Sequence, residues 1–362
     1  GRPAERYSAM APVRRPNNRG IALLMTLAFI TLAMSLAVEA NRQSRLAIES
    51  TDAVQHRLLA GQMAKAGIHG AMAVLIGDRY ESDTDHLKEI WADPDLLAEA
   101  LQDVVFEDGR LEVRITDEMA RIQVNALVDF PQSRQFNPQQ QQIMLRLIDA
   151  LQRANEVPSD LGPADIVNAI KDWLDRGDDE AVTGLNGAES DYYETLTPPY
   201  GCRNGPMAHI GELNQVKGVT ADLFQGTATV PGLKDCLTVY GVSGKADGQE
   251  AFSGRVNLNT VSEPVLAAIL PSEFHDFAAA ILQYRDEAEA EVLEGQTWYR
   301  EIPGAAGLEL TPEAITLSSD VFRIQAVAES GGIRRDISAV VERVTAAEGK
   351  GWTCRILAWE MS

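Results

Sequence analysis

Arg19 to Val38 reads RGIALLMTLAFITLAMSLAV, and its last eighteen residues, from Ile21 onward, carry no charge. As α-helix, rising about 1.5 Å per residue, that run reaches roughly 27 Å, close to the thickness of a bilayer's hydrocarbon core. Arg14, Arg15 and Arg19 precede it with no acid between them. Short positive flanks of this kind stay on the cytoplasmic side, so everything after Val38 is expected to be exported.

Three uses of the run are open. A cleaved secretory peptide needs small residues at a cut site beyond the apolar stretch, and Ala37, Val38 and Ala40 match that loosely. A plain signal anchor accounts for the length but gives Gly20 no reason to sit on the border between charge and apolarity. A pilin-like leader accounts for both: it is cut after Gly20, Ile21 becomes the new N-terminus, and the helix is kept. The RGIALL start, followed by a helix that continues into polar sequence, resembles the protein K (GspK) minor pseudopilins of the bacterial type II secretion system. Pilin-like proteins generally carry a Glu at the fifth position after the cut. Here that position is Met25, and no acid follows before Glu39. In the family that Glu is thought to pair with the terminal amine of a neighbouring subunit, and protein K is the member that lacks it. An unpaired carboxylate at bilayer depth costs a few kcal/mol, so a subunit with no neighbour ahead of it has no use for one. Met25 is therefore read as the marker of a tip position.

The chain has 362 residues, 45% of them hydrophobic, enough to bury one large or two moderate cores. Its net charge is −21, and a cut after Gly20 would remove five Arg and one Glu and leave −25. Such a surface repels nucleic-acid phosphates, and calcium or basic partners suit it better. Cys202, Cys236 and Cys354 make an odd number. In an exported chain Cys202 and Cys236, which bracket a loop-rich stretch, are expected to pair, with a stabilisation of roughly 3–4 kcal/mol from closing the loop. Without C-x-x-C or Cys/His spacing, zinc is not expected.

In chain order, the helical pattern that starts at Ile21 runs to about Leu75, roughly 55 residues, far beyond a globular average. Its outer half carries a broken apolar stripe among Arg42, Arg45, Glu49 and Arg57 that does not hold a heptad, so a pilin spine fits better than a coiled-coil stalk. Residues 80–102 read as two short helices with Thr84 and Asp93 as caps. LEVRIT (Leu111–Thr116) and ARIQVNAL (Ala120–Leu127) alternate apolar and polar residues and read as a hairpin. GRVNLNT (Gly254–Thr260) repeats the pattern, and Asn259 or Thr260 would cap a helix opening at Glu263-Pro264. Both stretches resemble protein K segments of the forms DxxGRxNLN and NxNT…VL. Between them, Pro138 and Pro163 each open a helix. MAHIGELNQVKGV (Met207–Val219) resembles a helix-hairpin-helix turn, whose DNA-binding use the acidic surroundings and export signal argue against. After residue 261 come two more helices. The strands Ser319–Ser330 and Gly332–Val344 follow, forming a hairpin at Gly331-Gly332, and Trp352–Glu360 adds an edge strand.

The richest chemistry lies in DWLDRGDDEAVTGLNGAESDYY, Asp172 to Tyr193, where seven acids face only Arg176. So many carboxylates in a Gly-containing loop repel one another unless a cation holds them. Calcium takes six to eight oxygen ligands at about 2.3–2.6 Å. The segment resembles the family's W[I/L]DxD…GAEDxYY calcium loop. Asp175 and Glu189 match it, and Tyr193 matches the closing aromatic. Gly177 displaces the second Asp, leaving Asp178 or Asp179 to serve, and Ser190 replaces the second acid, with Asp191 next to it. A solvated acidic loop is the plainer alternative. A carboxylate pair can also do hydrolytic work, but no G-x-S-x-G, H-E-x-x-H, Walker loop or Cys/His arrangement accompanies it.

The expected architecture is α+β and pilin-like: a long N-terminal transmembrane helix packed on an antiparallel sheet, with a large all-α domain inserted. The expected division is leader 1–20, transmembrane and spine helix 21–75, first head segment 76–127, helical insertion with the calcium loop 128–317, and C-terminal head strands 318–362. The resemblance implies a non-enzymatic minor pseudopilin at the pseudopilus tip, held in the inner membrane by one span with its C-terminal domain in the periplasm. It further implies cleavage and N-methylation by a prepilin peptidase, with Gly20 and Ile21 at the processing site, and contact with the other minor pseudopilins, the major pseudopilin and the inner-membrane assembly platform. A minor pilin or adhesin of a related filament, and a membrane-anchored periplasmic hydrolase, are the alternatives.

Overall fold

A computed structural model of the chain describes residues 19–102, 109–129, 134–155, 160–177, 182–246, 249–346, 349 and 351–362. The leader expected at 1–20 lies outside these residues apart from Arg19 and Gly20, and so do Asp178 and Asp179 of the acidic loop. The chain divides into two units, Gly1–Leu58 and Leu59–Ser362.

In the first unit the described residues form the opening part of helix α1 (Arg19–Glu81). Among the described residues this is the one helix long and apolar enough to cross a membrane. Its apolar side chains lie open, Leu23 and Phe29 each 72% exposed. The hydroxyls of Thr26, Thr31 and Ser35, within the uncharged run, donate to backbone carbonyls three or four residues back and so are satisfied inside the helix.

The second unit takes up α1 where its spacing turns amphipathic. Ala60, Met63, Ala64, Ile68, Ala71 and Leu75 recur three or four residues apart and are buried. The helix is 63 residues long and ends at Glu81, beyond the expected Leu75, because Arg79 bonds the Ser82 carbonyl and the Asp83 carboxylate and so finishes the last turn. Of the two short helices expected in 80–102, one forms: α2 (Pro94–Ala100), whose Asp93 carboxylate accepts the N–H groups of Asp95 and Leu96. Thr84 instead bonds Ser82 in a turn.

Strand β1 (Arg110–Asp117) alternates into the same core through Val113 and Ile115. The hairpin expected with residues 120–127 does not form. The Asp117 carboxylate caps the N–H of Met119, a 3-10 turn carries the chain off the sheet, and β2 (Ile122–Gln123) pairs in parallel with β3 (Leu237–Thr238). Between them lie α3 (Pro138–Ala154), α4 (Pro163–Leu174), α5 (Ser190–Tyr193), α6 (Ala221–Gln225) and α7 (Leu233–Cys236). Both long helices open on proline as expected, α3 with the Asn137 side chain as cap. The hairpin β4 (Val242–Ala246) and β5 (Gln249–Phe252) follows, then β6 (Val256–Asn257), α8 (Glu263–Ile269), α9 (Ala278–Glu287), α10 (Ala290–Leu293) and β7 (Ile315–Thr316), which pairs in parallel with β6. The chain then returns to the sheet as β8 (Val321–Ser330), β9 (Ile333–Thr345) and β10 (Trp352–Met361). The sheet order is β1-β8-β9-β10, antiparallel throughout, with Gly331 and Gly332 turning the β8–β9 hairpin at φ +53° and +76° and β10 at one edge.

Two hydrophobic cores result, one between α1 and the sheet, the other inside the insertion. Ile122, Val124 and Leu127 pack in the same core as the helices that follow them. Cys202 and Cys236 are not joined, contrary to the expected bridge. The Cys202 thiol donates to the Asp172 carbonyl at 3.3 Å, while Cys236 is buried in α7, where burial pushes its thiol up to about 12. Cys354 is half-buried beside Met72 of α1.

A buried polar network sits where the insertion leaves and re-enters the sheet. Arg343 of β9 donates to both Asp85 oxygens, at 2.5 and 2.7 Å, and to Asp78 of α1 at 2.9 Å. Asp85 also accepts the Ser319 N–H at 2.7 Å. Asp117, at the end of β1, accepts the hydroxyls of Thr260 and Ser319, both at 2.6 Å, and the Asn257 amide at 3.1 Å. The Asn257 amide reaches the Asp85 carbonyl as well. Asn259 and Thr260 thus cap no helix, since Asn259 donates to the Leu293 carbonyl and accepts the Trp298 indole, and Ser262 stands at the start of α8.

Two outcomes follow from this network. Arg343→Met leaves two buried carboxylates without their counter-charge, and denaturant unfolding of the detergent-solubilised chain should show a loss of about 3–5 kcal/mol. Burial raises the Glu89 carboxyl to about 8 and those of Asp78 and Asp117 to about 6, so the folded chain holds protons that the unfolded chain releases. The stability they contribute is full below their unfolded values and is lost as pH rises through 6 to 8. Thermal midpoints should therefore fall between about pH 5 and about pH 9, and Glu89→Gln should flatten the upper part of that slope.

Candidate functional site

The acidic segment begins on the last turn of α4 and ends on α5. Asp172 and Asp175 are three residues apart on α4 and its C-terminal cap, so the helix brings both carboxylates to one side. The Glu189 carboxylate, at the start of α5, comes to meet them, and one oxygen from each of the three lies within 4.8 Å of the other two. Asp172, Asp175 and Glu189 are 0%, 5% and 5% exposed.

Asp172 holds the loop in place. Its oxygens accept the Thr183 N–H at 3.1 Å and the Ala188 N–H at 2.8 Å. Gly187 passes so close that a Cβ there would lie 2.1 Å from an Asp172 oxygen, which leaves room only for glycine. Lys171, 8% exposed, turns its ammonium into the group. It bonds the Asp175 carboxylate and donates to the Thr183 hydroxyl at 3.0 Å, with an Asp172 oxygen at 4.0 Å. Below lies an aromatic layer: Trp173 meets Tyr193 edge-on at 5.1 Å, and Tyr193 stacks on Tyr200 at 5.3 Å. Tyr193 is fully buried, its hydroxyl accepting the Lys217 N–H, and burial raises its pKa.

The structure therefore brings Asp175 and Glu189 together as the sequence led one to expect. Asp191 is exposed on α5 and is not a member of the group, while Asp178 and Asp179 lie outside the described residues. The sequence reading passed over Asp172 as a ligand and gave Lys171 no role. The i, i+3 spacing of Asp172 and Asp175 on a helix opened by Pro163 was a signal for the first; nothing local signals the second. The donor set is all carboxylate oxygen, which suits a hard cation such as calcium. In a second acidic group, Asp78, Asp85 and Glu89, Arg343 pairs with Asp78 and Asp85.

Residues 120–229, which span the acidic loop, match the family model described as type II secretion system (T2SS), protein K. The chain is 30% identical over 260 residues to type II secretion system protein K of Klebsiella pneumoniae, covering 70% of this chain and 71% of that protein. It is 28% identical over 263 residues to the Pseudomonas aeruginosa protein of the same name, covering 71% and 69%. The chain belongs to the type II secretion system protein K family. That makes it a minor pseudopilin of type II secretion, and the pilin-like α+β fold with its helical insertion is the fold of the family. One chain of the crystal structure of the GspK-GspI-GspJ complex from enterotoxigenic Escherichia coli superposes with a TM-score of 0.62 at 19% identity, over 86% of this chain and 99% of that one. The protein K family model thus falls on the first half of the insertion, from the end of β1 to α6.

Proposed function

We propose that the chain is the tip subunit of the pseudopilus, processed after Gly20 by a prepilin peptidase, N-methylated on Ile21, and held in the inner membrane by α1 with the second unit in the periplasm. The observation that carries this reading is the helix itself. It exposes an apolar run of bilayer length with Met25 at the fifth position and no acid before Glu39. Beyond that run, Leu46, Ile48, Val54 and Leu58 are each at least half exposed, so the polar stretch of α1 still offers apolar surface for the helices of neighbouring subunits. The partners are the other minor pseudopilins, the major pseudopilin and the assembly platform. The complex named for the superposed structure supports the first of these. The insertion would stand where the next subunit would be added, and it leaves catalysis no part in the reading.

For the acidic loop we propose calcium, with Asp172, Asp175 and Glu189 supplying carboxylate oxygens and Asp178, Asp179 and Asp191 within sequence reach. The metal would order the loop against the Trp173–Tyr193 layer without doing chemistry.

Two measurements decide. Gly20→Asp in full-length chain co-expressed with a prepilin peptidase should stay unprocessed by mass spectrometry, and capture of the other minor pseudopilins from detergent should be lost with it. A processed N-terminus at Glu39 or beyond would remove the helix and the proposal together. Calorimetric titration of calcium into the detergent-solubilised chain should show uptake weakened at least tenfold by Asp175→Ala, the scale of one lost charged ligand. Unchanged uptake would take the loop out of the assignment.

A further inference from the structure

The ammonium in the acidic group is built in. Lys171 is on the last turn of α4 with Asp172, one turn before the Asp175 cap, and its Nζ lies 5.8 Å over the Phe136 ring and contacts Asp175 and the Thr183 hydroxyl with Asp172 close by. Thr183 is the residue whose N–H is held by Asp172, so lysine and carboxylate grip the same loop residue from two sides. A buried lysine is ordinarily paired, and here its partner is a carboxylate of the proposed calcium group. Ammonium and metal therefore compete for the same carboxylate, that of Asp175.

We propose that Lys171 is a tethered cation that exchanges with calcium at Asp175. Without metal it bridges Asp175 to Thr183; when calcium binds, Lys171 is released from Asp175 and its amine moves toward solvent. Its presence lowers the site's affinity, so that the site responds to changes in free calcium rather than staying permanently filled. This rests on the calcium reading and adds to it a residue that sets the response.

A lysine that merely supports the loop and one that competes for the metal act in opposite directions when removed. Calcium titration of detergent-solubilised wild-type chain and Lys171→Met should show the variant binding roughly tenfold to a hundredfold more tightly, the range expected for one charge-assisted hydrogen bond. Equal or weaker binding by the variant, with wild-type binding intact, overturns the exchange and leaves the calcium assignment standing. No uptake by either chain overturns both. The second measurement needs no substitution: with wild-type chain and an amine-reactive reagent, peptide mass spectrometry should show Lys171 labelled slowly without metal and several-fold faster with saturating calcium. Labelling that calcium leaves unchanged places Lys171 on Asp175 in both states and overturns the proposal. Should Lys171→Met fail to fold, Lys171→Gln keeps a donor for Thr183 without the charge and is expected to bind calcium more tightly than wild type.

Discussion

A guanidinium buried among carboxylates holds the second unit together. Arg343 reaches Asp78 on the helix and Asp85 on the segment after it, and through Ser319 and Asn257 the contact extends to Asp117 at the end of the first strand. Taking these charges out of water is costly, and the cost is offset only because nearly every oxygen has a donor. The location explains the expense. In the sheet, Asp117 at the end of β1 lies opposite Phe322 at the start of β8, so the insertion leaves and returns on neighbouring antiparallel strands. Its ends are about one strand spacing apart, which lets a large domain be inserted with little strain on the sheet.

Inside the insertion the same device appears twice. Gln123 and Asn257 each sit on a two-residue strand that pairs in parallel, and the side-chain oxygen of each accepts the N–H two residues on. That next residue, Asn125 or Asn259, then reaches distant backbone: the Met207 and Val239 carbonyls in one case, the Leu293 carbonyl in the other. The repeat was visible in the sequence, but its work was not. An Asn before a helix is read locally as a cap, and only the folded chain shows that its partners lie tens of residues away.

What was legible follows from how local each signal is. Proline in a first turn, the eighteen uncharged residues of the N-terminal run and the Gly331-Gly332 hairpin are decided by near neighbours, and each was read correctly. The end of α1 was missed by six residues because Arg79 and its partners, not apolar periodicity, close the last turn. The hairpin after β1 failed because Asp117 caps a 3-10 turn and the strand's hydrogen bonds go to β8, two hundred residues later. The disulfide failed because both cysteines have other tasks within the helical core. Of the acidic loop, the composition and two members were legible. Asp172 and Lys171 belong to it through helix geometry, which a run of charges does not display.

The two acidic groups differ in the residue that answers their charge. Between Asp78 and Asp85 a guanidinium makes planar, directed hydrogen bonds, and three elements of the fold meet on it. Around Asp172, Asp175 and Glu189 the cation is an ammonium on a flexible stem, bonded to a loop rather than to the sheet. A point charge on a movable chain can be exchanged for another point charge; a forked guanidinium buried in a strand cannot be without unfolding what it joins. Buried carboxylates are thus answered by a fixed joint in one place and by a flexible ammonium in the other, and the difference lies in which side chain supplies the positive charge.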